Sequence, residues 1–208
     1  MKRLLIISII SLLLSSCCKN NNDNIILRKS TSCEEALKTQ WTKVKIEDVK
    51  FNPFTILDKD WMLLSTENRE DNNAMTIAWG EFGMLWSKPV VTVYVSSSRY
   101  SWDMLNKNQY FTVTAFPEDA REALQYMGST SKRDVSDKAS ACGLHTEFTP
   151  DGHPIFSEAN LAIECKKIYQ KELDSASIPQ EVFERFYQGG KNGIHSMYIG
   201  EIENIYTK

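Results

Sequence analysis

The sequence predicts a mainly β fold, in which short strands form a barrel and helices are inserted between them. From Phe54 onward, apolar and polar residues mostly alternate with a period of two, which is the period of a strand. The apolar runs are rich in β-branched and aromatic residues and are separated by turn formers such as Glu67-Asn68. Predicted strands and helices alternate irregularly, and this irregularity favours a barrel over a parallel sheet.

Six segments carry the strand pattern. One of them, residues 160–171, has a length that fits either a helix or a strand. There Leu161, Ile163 and Cys165 alternate with more polar neighbours, and this alternation favours the strand. The predicted strands are residues 61–66, 74–79, 90–95, 110–116, 160–171 and 195–206.

Helices are predicted where capping residues precede or follow apolar runs. The hydroxyl of Ser101 can accept a free backbone N–H, so it predicts the start of a helix over residues 102–106. Pro117 and two acids suit the first turn of a helix that continues to residue 127, and Gly143 suits the end of another over residues 134–141. Shorter helices are predicted over residues 34–37 and 179–187, with a loop over residues 188–193.

The N-terminus has the pattern of an export signal. Two basic residues precede an apolar run over residues 4–14, which is too short to span a bilayer as a helix. The run ends in Leu14-Ser15-Ser16-Cys17, which resembles the bacterial lipobox, where a peptidase cuts before a cysteine that carries the lipid. We therefore predict a lipoprotein of the cell envelope, anchored to a bacterial membrane through Cys17; the alternative is an ordinary signal peptide that contains cysteines. The predicted divisions are a signal peptide at 1–16, a polar tether and lead-in at 17–50, and one domain at 51–208.

Charge and cysteine spacing exclude several functional classes. Removal of residues 1–16, which carry two basic residues and no acid, moves the formal charge from -3 to -5. A mildly acidic chain gives no electrostatic reason to bind nucleic acid. The cysteines outside the lipobox region, Cys33, Cys142 and Cys165, lack metal-ligand spacing. A disulfide is compatible with an oxidising compartment, but their odd number leaves the pairing unassigned.

No local motif supplies catalytic chemistry. The sequence has no Gly-x-Gly-x-x-Gly or Gly-Lys-Ser/Thr loop for phosphate and no signature of a serine or cysteine nucleophile. His145, His153 and His195 are isolated in sequence, which is typical of surface or hydrogen-bonded polar residues, and we assign no catalytic role to His195. Either a cofactor supplies the chemistry, or the chain carries out none.

Two segments have the composition of a cofactor site. Ser98, Arg99 and Ser101 place a planar guanidinium and two hydroxyls at a predicted junction between a strand and a helix, which suits a phosphate group. The strand that ends at Trp79 has small side chains and edge amides that a flat ring can approach. Taken alone, each segment is better explained without a ligand: the strand as core packing, and Arg99 as a surface ion pair.

In their order and spacing, several segments together resemble the flavin-reductase-like FMN-binding split-barrel family, specifically its flavoredoxin branch. The resemblance covers residues 60–202 and is carried by residues 73–80, 83–89, 98–101, 128–134 with Lys138, 158–174 and 195–202. It implies a split β-barrel with Greek-key antiparallel strands, and a homodimer that holds FMN in a groove at the subunit interface. It also implies these FMN-binding residues: Asn73, Met75, Thr76, Ile77, Ala78, Trp79, Lys88, Ser98, Arg99, Ser101 and Lys138.

The sequence departs from the family pattern around the rim of the implied site. The family usually has a serine at Ala78, a cysteine at Met127, a glycine at Lys132, a tyrosine at Ile194 and a basic residue at Ser196. The first change removes a hydroxyl contact to the flavin and leaves backbone contacts possible. These departures argue more against the family's usual electron donor than against flavin binding.

Three functions follow from the resemblance and the export signal. The first is an FMN-dependent oxidoreductase or flavin reductase that transfers hydride or electrons through the flavin. The second is an envelope FMN protein that carries electrons or binds flavin without nicotinamide turnover, because nicotinamide dinucleotides are cytoplasmic. The third is a barrel with an empty site that serves as an interaction module.

Overall fold

The computed structural model describes residues 41–67 and 69–208. The predicted signal peptide, Cys17, Cys33 and the predicted helix over residues 34–37 lie outside the described residues. Ten strands are present in that part of the chain: β1 Thr42–Val44, β2 Met62–Glu67, β3 Asn72–Ile77, β4 Gly80–Leu85, β5 Lys88–Ser96, β6 Tyr110–Ala115, β7 Thr146–Phe148, β8 Pro154–Phe156, β9 Leu161–Glu172 and β10 His195–Thr207.

The helices are short and lie between the strands. The described helices are α1 Pro53–Thr55, which continues as a π-helical turn Ile56–Asp60, α2 Tyr100–Lys107, α3 Arg121–Ser129, α4 Lys138–Ala141 and α5 Gln180–Tyr187. Short 3-10 turns are found at Ile46–Asp48, Glu118–Ala120, Ser175–Ser177 and Gln188–Gly190. No described helix has the length and apolar character needed to cross a membrane.

Eight strands form one antiparallel sheet in the order β3-β2-β6-β9-β10-β5-β4, with β1 added to β10. The two edge strands, β3 and β4, are consecutive in the chain, and only Ala78 and Trp79 separate them. In a flat sheet these edges would be about 29 Å apart, whereas the link between Ile77 and Gly80 spans at most about 11 Å. The sheet must therefore curl until its edges approach, which produces a barrel that is split between β3 and β4.

The core lies inside this barrel and extends to one outer face. Buried side chains from β2, β5, β6, β9 and β10 fill the interior, with Met62, Val93 and Val113 fully enclosed. A second cluster lies between α3, α4 and the sheet, where Leu63 and Leu124 are buried. Helix α3 is thereby fixed against β2 and β3, which places its C-terminal end beside the split.

The mainly β prediction is confirmed, and the six predicted strands correspond to β2, β3, β5, β6, β9 and β10. Strand β4 was not predicted, since Gly80 and Gly83 are unfavourable in a strand. Gly80 is required there because a Cβ at this position would lie 2.7 Å from the carbonyl oxygen of Thr92. Strand β3 ends at Ile77, so the predicted strand over residues 74–79 is too long at its C-terminal end.

The predicted cap at Ser101 is wrong. Helix α2 begins at Tyr100, its N-cap residue is Arg99 with no side-chain cap, and Ser101 lies within the first turn. The Ser101 hydroxyl instead accepts a hydrogen bond of 2.7 Å from the Nδ2 of Asn73. The helix predicted over residues 134–141 is shorter than expected and begins at Lys138, because the carboxylate of Asp137 caps it through the N–H of Ser140.

Candidate functional site

Two neighbouring cavities lie at the split of the barrel. The larger has a volume of about 540 Å³ and the smaller about 130 Å³. Met75, Ser98 and Arg99 line both cavities and form the junction between them. The site therefore has a wide compartment and a narrow compartment, and Arg99 lies where they meet.

The wide cavity is bounded on one side by the end of β3. This strand pairs with β2 alone, so its other edge leaves backbone N–H and C=O groups without a strand partner in the described sheet. The hydroxyl of Thr76 points away into helix α3, where it donates to the carbonyl of Leu124. Ala78 adds only a methyl group, so this side of the cavity can hold a ligand mainly through backbone atoms.

Aromatic rings form the opposite boundary of the wide cavity. The ring of Trp79 lies 5.4 Å from that of Phe186 and 5.0 Å from that of His195, between ring centroids. Trp79 and Phe186 are 44% and 40% exposed, which is unusual for such large apolar side chains. The cavity thus has flat, partly exposed walls that suit a planar ligand.

His195 lines this cavity as a neutral imidazole. Its Nδ1 is buried and has no hydrogen-bond partner among the described residues. Burial lowers the pKa of His195 below its ordinary value, and the nearby positive charge of Arg99 lowers it further. Protonation would place an N–H donor where it has no acceptor, so the ring is held in its uncharged form.

The narrow cavity is lined by four cations: Arg99, Lys132, Arg133 and Lys138. Two of them bond only to uncharged carbonyl groups. Arg99 donates from Nη1 to Gly128 at 3.0 Å, and Lys138 donates from Nζ to Met127 at 2.9 Å and to Thr130 at 2.7 Å. Neither side chain forms an ion pair with a described carboxylate, so two positive charges are available to an anion.

Lys138 is the more deeply placed of these two cations. Its side chain is buried beneath the cavity, with 5% of the residue exposed. Burial lowers the pKa of Lys138 to about 8, and the positive charge of Arg99 contributes in the same direction. An anion in the cavity would supply the negative charge that this ammonium group lacks.

The other two cations are paired with carboxylates. Lys132 bonds through Nζ to the carboxylate of Asp71 and to the carbonyl of Asn72. Arg133 pairs with Asp103 on helix α2 at 3.2 Å. These pairs connect the loop after α3 to both β3 and α2.

Hydroxyl groups and a helix N-terminus complete the narrow cavity. Ser101 accepts from Asn73, so its own O–H remains free to donate. Ser98 lies 2.9 Å from Ser96, between hydroxyl oxygens, and Ser96 donates to the carbonyl of Asn192 at 2.8 Å. Helix α2 begins at this point and contributes backbone N–H groups that have no partner within the helix.

The structure brings together ten of the eleven predicted FMN-binding residues. Lys88 lies apart from both cavities and pairs with Glu201, at 2.6 Å between Nζ and Oε2. Six residues of the wide cavity were not among the predicted FMN-binding residues: Tyr94, Ser96, Phe186, Lys191, Asn192 and His195. Phe186 and Asn192 reach the cavity from α5 and the loop that follows it, more than a hundred residues after β3, and no local pattern indicates that proximity.

No group of three or more His, Cys, Asp or Glu residues that could hold a metal is found in the described part of the chain. Cys142 and Cys165 are free thiols, and burial raises the pKa of Cys165 well above its ordinary value. The two cavities are therefore the candidate site for a ligand.

Comparisons with known proteins agree with this geometry. Residues 58–208 match the family described as flavin reductase like domain. No curated protein sequence matches the chain.

Solved structures share the fold at low sequence identity. A flavoredoxin from Methanosarcina acetivorans aligns with a TM-score of 0.57 and 19% identity, over 80% of this chain and 76% of that one. An FMN-binding domain of a flavin reductases-like enzyme from Shewanella baltica aligns with a TM-score of 0.56 and 16% identity, over 80% of this chain and 76% of that one. An FMN-binding protein from Thermus thermophilus with bound 1-cyclohex-2-enone aligns with a TM-score of 0.57 and 16% identity, over 80% of each chain. These likenesses show that the barrel is the split barrel that the sequence predicts.

Proposed function

The chain belongs to the flavin reductase like domain family, and on that premise we propose that it binds FMN across the two cavities and transfers hydride or electrons through the flavin. One observation carries the proposal: a narrow cavity with two cations that lack a described carboxylate partner lies next to a wide cavity with aromatic walls, and Met75, Ser98 and Arg99 line both. A phosphate monoester carries a charge of about -1.5 to -2 near neutral pH and has three acceptor oxygens. Its charge therefore matches that of Arg99 and Lys138.

Each compartment would hold one end of the cofactor. In the narrow cavity, Arg99, Lys138 and the Ser101 hydroxyl would hold the phosphate through charge-assisted hydrogen bonds. In the wide cavity, the backbone edge from Met75 to Ala78 would bind the polar edge of the ring, and Trp79 would limit access of water. The flavin itself supplies the redox chemistry when bound.

The neutral ring of His195 adds a polar group to the wide cavity. Because its Nδ1 is enclosed and unpartnered, the proton of the neutral ring is favoured on Nε2, where it can be donated to a ligand. Such a donor orients a bound ligand without adding charge next to the flavin.

The source of the electrons defines two versions of the function. A flavin reductase would accept hydride from a nicotinamide dinucleotide that reaches the wide cavity. The alternative is an envelope FMN protein that carries electrons or holds flavin without that donor, and it is supported by the lipoprotein signal at Leu14-Ser15-Ser16-Cys17. We extend the proposal to a lipid anchor at Cys17 and a location in the cell envelope.

We also propose that the chain forms a homodimer, as the family resemblance implies. Met84 and Trp86, at the end of the hairpin formed by β4 and β5, are 69% and 64% exposed. Large apolar side chains exposed side by side are typical of interaction surfaces.

The test compares FMN with riboflavin, which lacks the phosphate. We expect the purified chain to bind FMN with a flavin absorbance band, and we expect Arg99→Ala to raise the Kd for FMN about tenfold or more. The same substitution should change the Kd for riboflavin little, because Arg99 acts on the phosphate. Arg69→Ala is the matched control, since Arg69 lies over the ring of Phe148 outside both cavities. Absence of flavin binding, or equal effects on both flavins, would contradict the proposal.

A second experiment separates the two versions. The FMN-loaded protein is mixed with NADH and with NADPH in the absence of oxygen, and the flavin absorbance is followed. Rapid bleaching supports the reductase, whereas no bleaching with either nucleotide supports the carrier.

A further inference from the structure

A long connection between two paired strands lies beside the wide cavity. Strand β9 ends at Glu172 and β10 begins at His195, and the N–H of Leu173 donates to the carbonyl of His195 at 2.9 Å. Residues 174–194 therefore leave the barrel and return to it at one place. Such a segment can change its position through a few residues at its ends.

This connection is weakly packed against the barrel. Of residues 174–194, only Tyr187 is buried. Helix α5 adds a hydrogen bond along its own exposed surface, where Gln180 donates to Glu184 at 2.8 Å. Because few apolar side chains are buried here, the segment can separate from the barrel at a low cost in free energy.

The C-terminal end of α5 covers the wide cavity with two aromatic rings. The ring of Phe186 lies 5.4 Å from that of Trp79, and the ring of Tyr187 lies 5.5 Å from that of His195, between ring centroids. Phe186, Trp79 and His195 all line the cavity. Movement of α5 would therefore remove part of the cavity wall.

Asn192 connects the last turn of α5 to strand β5. Its carbonyl accepts a hydrogen bond from the hydroxyl of Ser96 at 2.8 Å. Its backbone N–H donates to the carbonyl of Tyr187 at 3.2 Å, and its Nδ2 donates to the carbonyl of Phe186 at 3.3 Å. Carbonyl groups in the last turn of a helix have no partner within the helix, so both bonds are available only from outside it. Asn192 thus holds the end of α5 against the cavity.

The last residues of the connection are fixed to the barrel. The N–H of Ser97 donates to the carbonyl of Ile194 at 3.0 Å. Gly193 has a φ value of 73°, and a Cβ there would lie 2.7 Å from the Oγ of Ser97, so a glycine permits this close approach. Residues 192–194 therefore continue the pairing of β10 with β5, whereas residues 174–191 lie beyond this fixed point.

We propose that residues 174–191 form a lid over the wide cavity and that Asn192 is the latch that holds the lid closed. The structure shows the closed form, with Phe186 and Tyr187 against the cavity wall. In the open form these two rings leave the wall, and the cavity becomes accessible from that side. The lid is a property of the chain without ligand, and its role in admitting and retaining a flavin rests on the proposed function.

A latch has a kinetic signature that an ordinary contact to the ligand lacks. When a ligand enters and leaves only through the open form, loss of the latch speeds both association and dissociation and changes the Kd little. Loss of a direct contact to the ligand instead raises the dissociation rate constant and leaves the association rate constant nearly unchanged. The two rate constants together therefore distinguish a latch from a contact.

The first test uses Asn192→Ala, which removes the side-chain bond to α5 and leaves the backbone bonds in place. Stopped-flow measurements of flavin fluorescence would give both rate constants for FMN. We expect each to rise about threefold or more, as the loss of one hydrogen bond permits, while the Kd stays within about twofold of the wild-type value. Asn108→Ala is the matched control and should change neither rate constant. Asn108 also donates from Nδ2 to a carbonyl at the end of a helix, that of Met104 at 2.9 Å, and it lines neither cavity.

A second test needs no flavin. Diethylpyrocarbonate modifies neutral imidazoles, and peptide mass spectrometry reads each histidine of the ligand-free chain separately. His195 lies against the ring of Tyr187, whereas the side chain of His145 is 79% exposed and serves as the internal reference. Asn192→Ala should raise the rate of modification at His195 about threefold or more relative to that at His145.

The two tests fail in different ways. A dissociation rate constant and a Kd that rise together, at a constant association rate constant, would overturn the lid and make Asn192 a direct contact to the flavin. An unchanged rate of modification at His195 would also overturn the lid. If no flavin binds, the proposed function fails, and the modification of His195 still decides whether the segment opens.

Discussion

At the scale of single residues, Lys138 is a buried lysine whose proposed role, binding a phosphate, requires the charged ammonium form. Its ammonium group is held by two carbonyl oxygens and lies near Arg99, with no carboxylate among its described hydrogen-bond partners. These surroundings lower its pKa to about 8. In the folded chain without ligand, Lys138 therefore loses its proton within reach of ordinary assay conditions.

If the chain binds FMN as proposed, the lowered pKa of Lys138 should make that binding depend on pH. An FMN phosphate would stabilise the ammonium form of Lys138, so proton uptake would accompany binding above pH 8. We expect the Kd for FMN to be constant below that pH and to rise above it by up to about tenfold per pH unit. The measurement is a fluorescence titration between roughly pH 7 and pH 9, which brackets the lowered pKa.

Riboflavin and a substitution provide the controls for this prediction. The Kd for riboflavin should stay flat over the same range, because it has no phosphate. Lys138→Met should bind FMN more weakly near neutral pH and should lose the dependence on pH. A parallel rise for both flavins in the wild-type chain would show that Lys138 is not the group responsible.

The lowered pKa of Lys138 also makes the free energy of unfolding of the ligand-free chain depend on pH. Because the folded pKa of Lys138 is below its unfolded value of 10.5, the unfolded chain binds more protons between these two values. The contribution of Lys138 to the free energy of unfolding therefore rises as the pH increases from about 8 toward 10.5.

At the scale of elements, β10 connects the two halves of the barrel. It pairs with β5 and β9 along its length and with β1 near its end. A register shift occurs between Ile199 and Gly200, and there the strand comes close to Phe111. A Cβ at Gly200 would lie 2.5 Å from the Cζ of Phe111 and 2.7 Å from the Cβ of Cys165.

Gly200→Ala is therefore expected to destabilise the barrel. Phe111 and Cys165 are both buried and cannot move without disturbing the core, so the overpacking should lower the free energy of unfolding by about 1–3 kcal/mol. Denaturant unfolding would measure this difference. Gly83→Ala in β4 is the matched control, since a Cβ there meets no heavy atom within 4 Å, and equal stability of the two variants would refute the packing argument.

The elements also show what the sequence could predict. Long strands such as β9 were identified because alternation over many residues is a strong signal, although Asn160 lies just outside it. The three-residue strands β1, β7 and β8 carry too few residues to show a period, and they were not predicted. Lys88 lines neither cavity and pairs with Glu201 of a strand distant in sequence, a contact that no local pattern indicates.

In the candidate site too, local motifs predict some residues, whereas others reach the site only through the fold of the whole chain. Asn73, Arg99 and Lys138 were predicted from motifs that resemble those of a known family, and the structure places them around one cavity. Phe186 and Asn192 approach Trp79 only because the sheet curls, which is a property of the whole chain. Their role could not be predicted from local sequence.

At the scale of the whole molecule, the hairpin formed by β4 and β5 carries large exposed apolar side chains at its end. Trp86 and Ser87 at its turn have φ values of 52° and 59°, a left-handed conformation that bulky residues rarely adopt. Met84 and Trp86 nevertheless present large apolar side chains to solvent. A strained turn with exposed apolar residues is understandable if a second copy of the chain covers it.

Met84→Glu tests this arrangement directly. If the hairpin packs against a second copy, the substitution would bury an unpaired carboxylate, and the dimer should dissociate at concentrations where the wild-type chain is dimeric. Sedimentation velocity would measure the change, and the Kd for FMN should rise in parallel if the partner helps to enclose the wide cavity. Phe54→Glu is the control, because Phe54 is 82% exposed on helix α1 and belongs to neither strand of the hairpin, and this variant should remain dimeric. A wild-type chain that sediments as a monomer at every concentration would contradict the homodimer, whereas a dimeric Met84→Glu variant would place the interface on another surface.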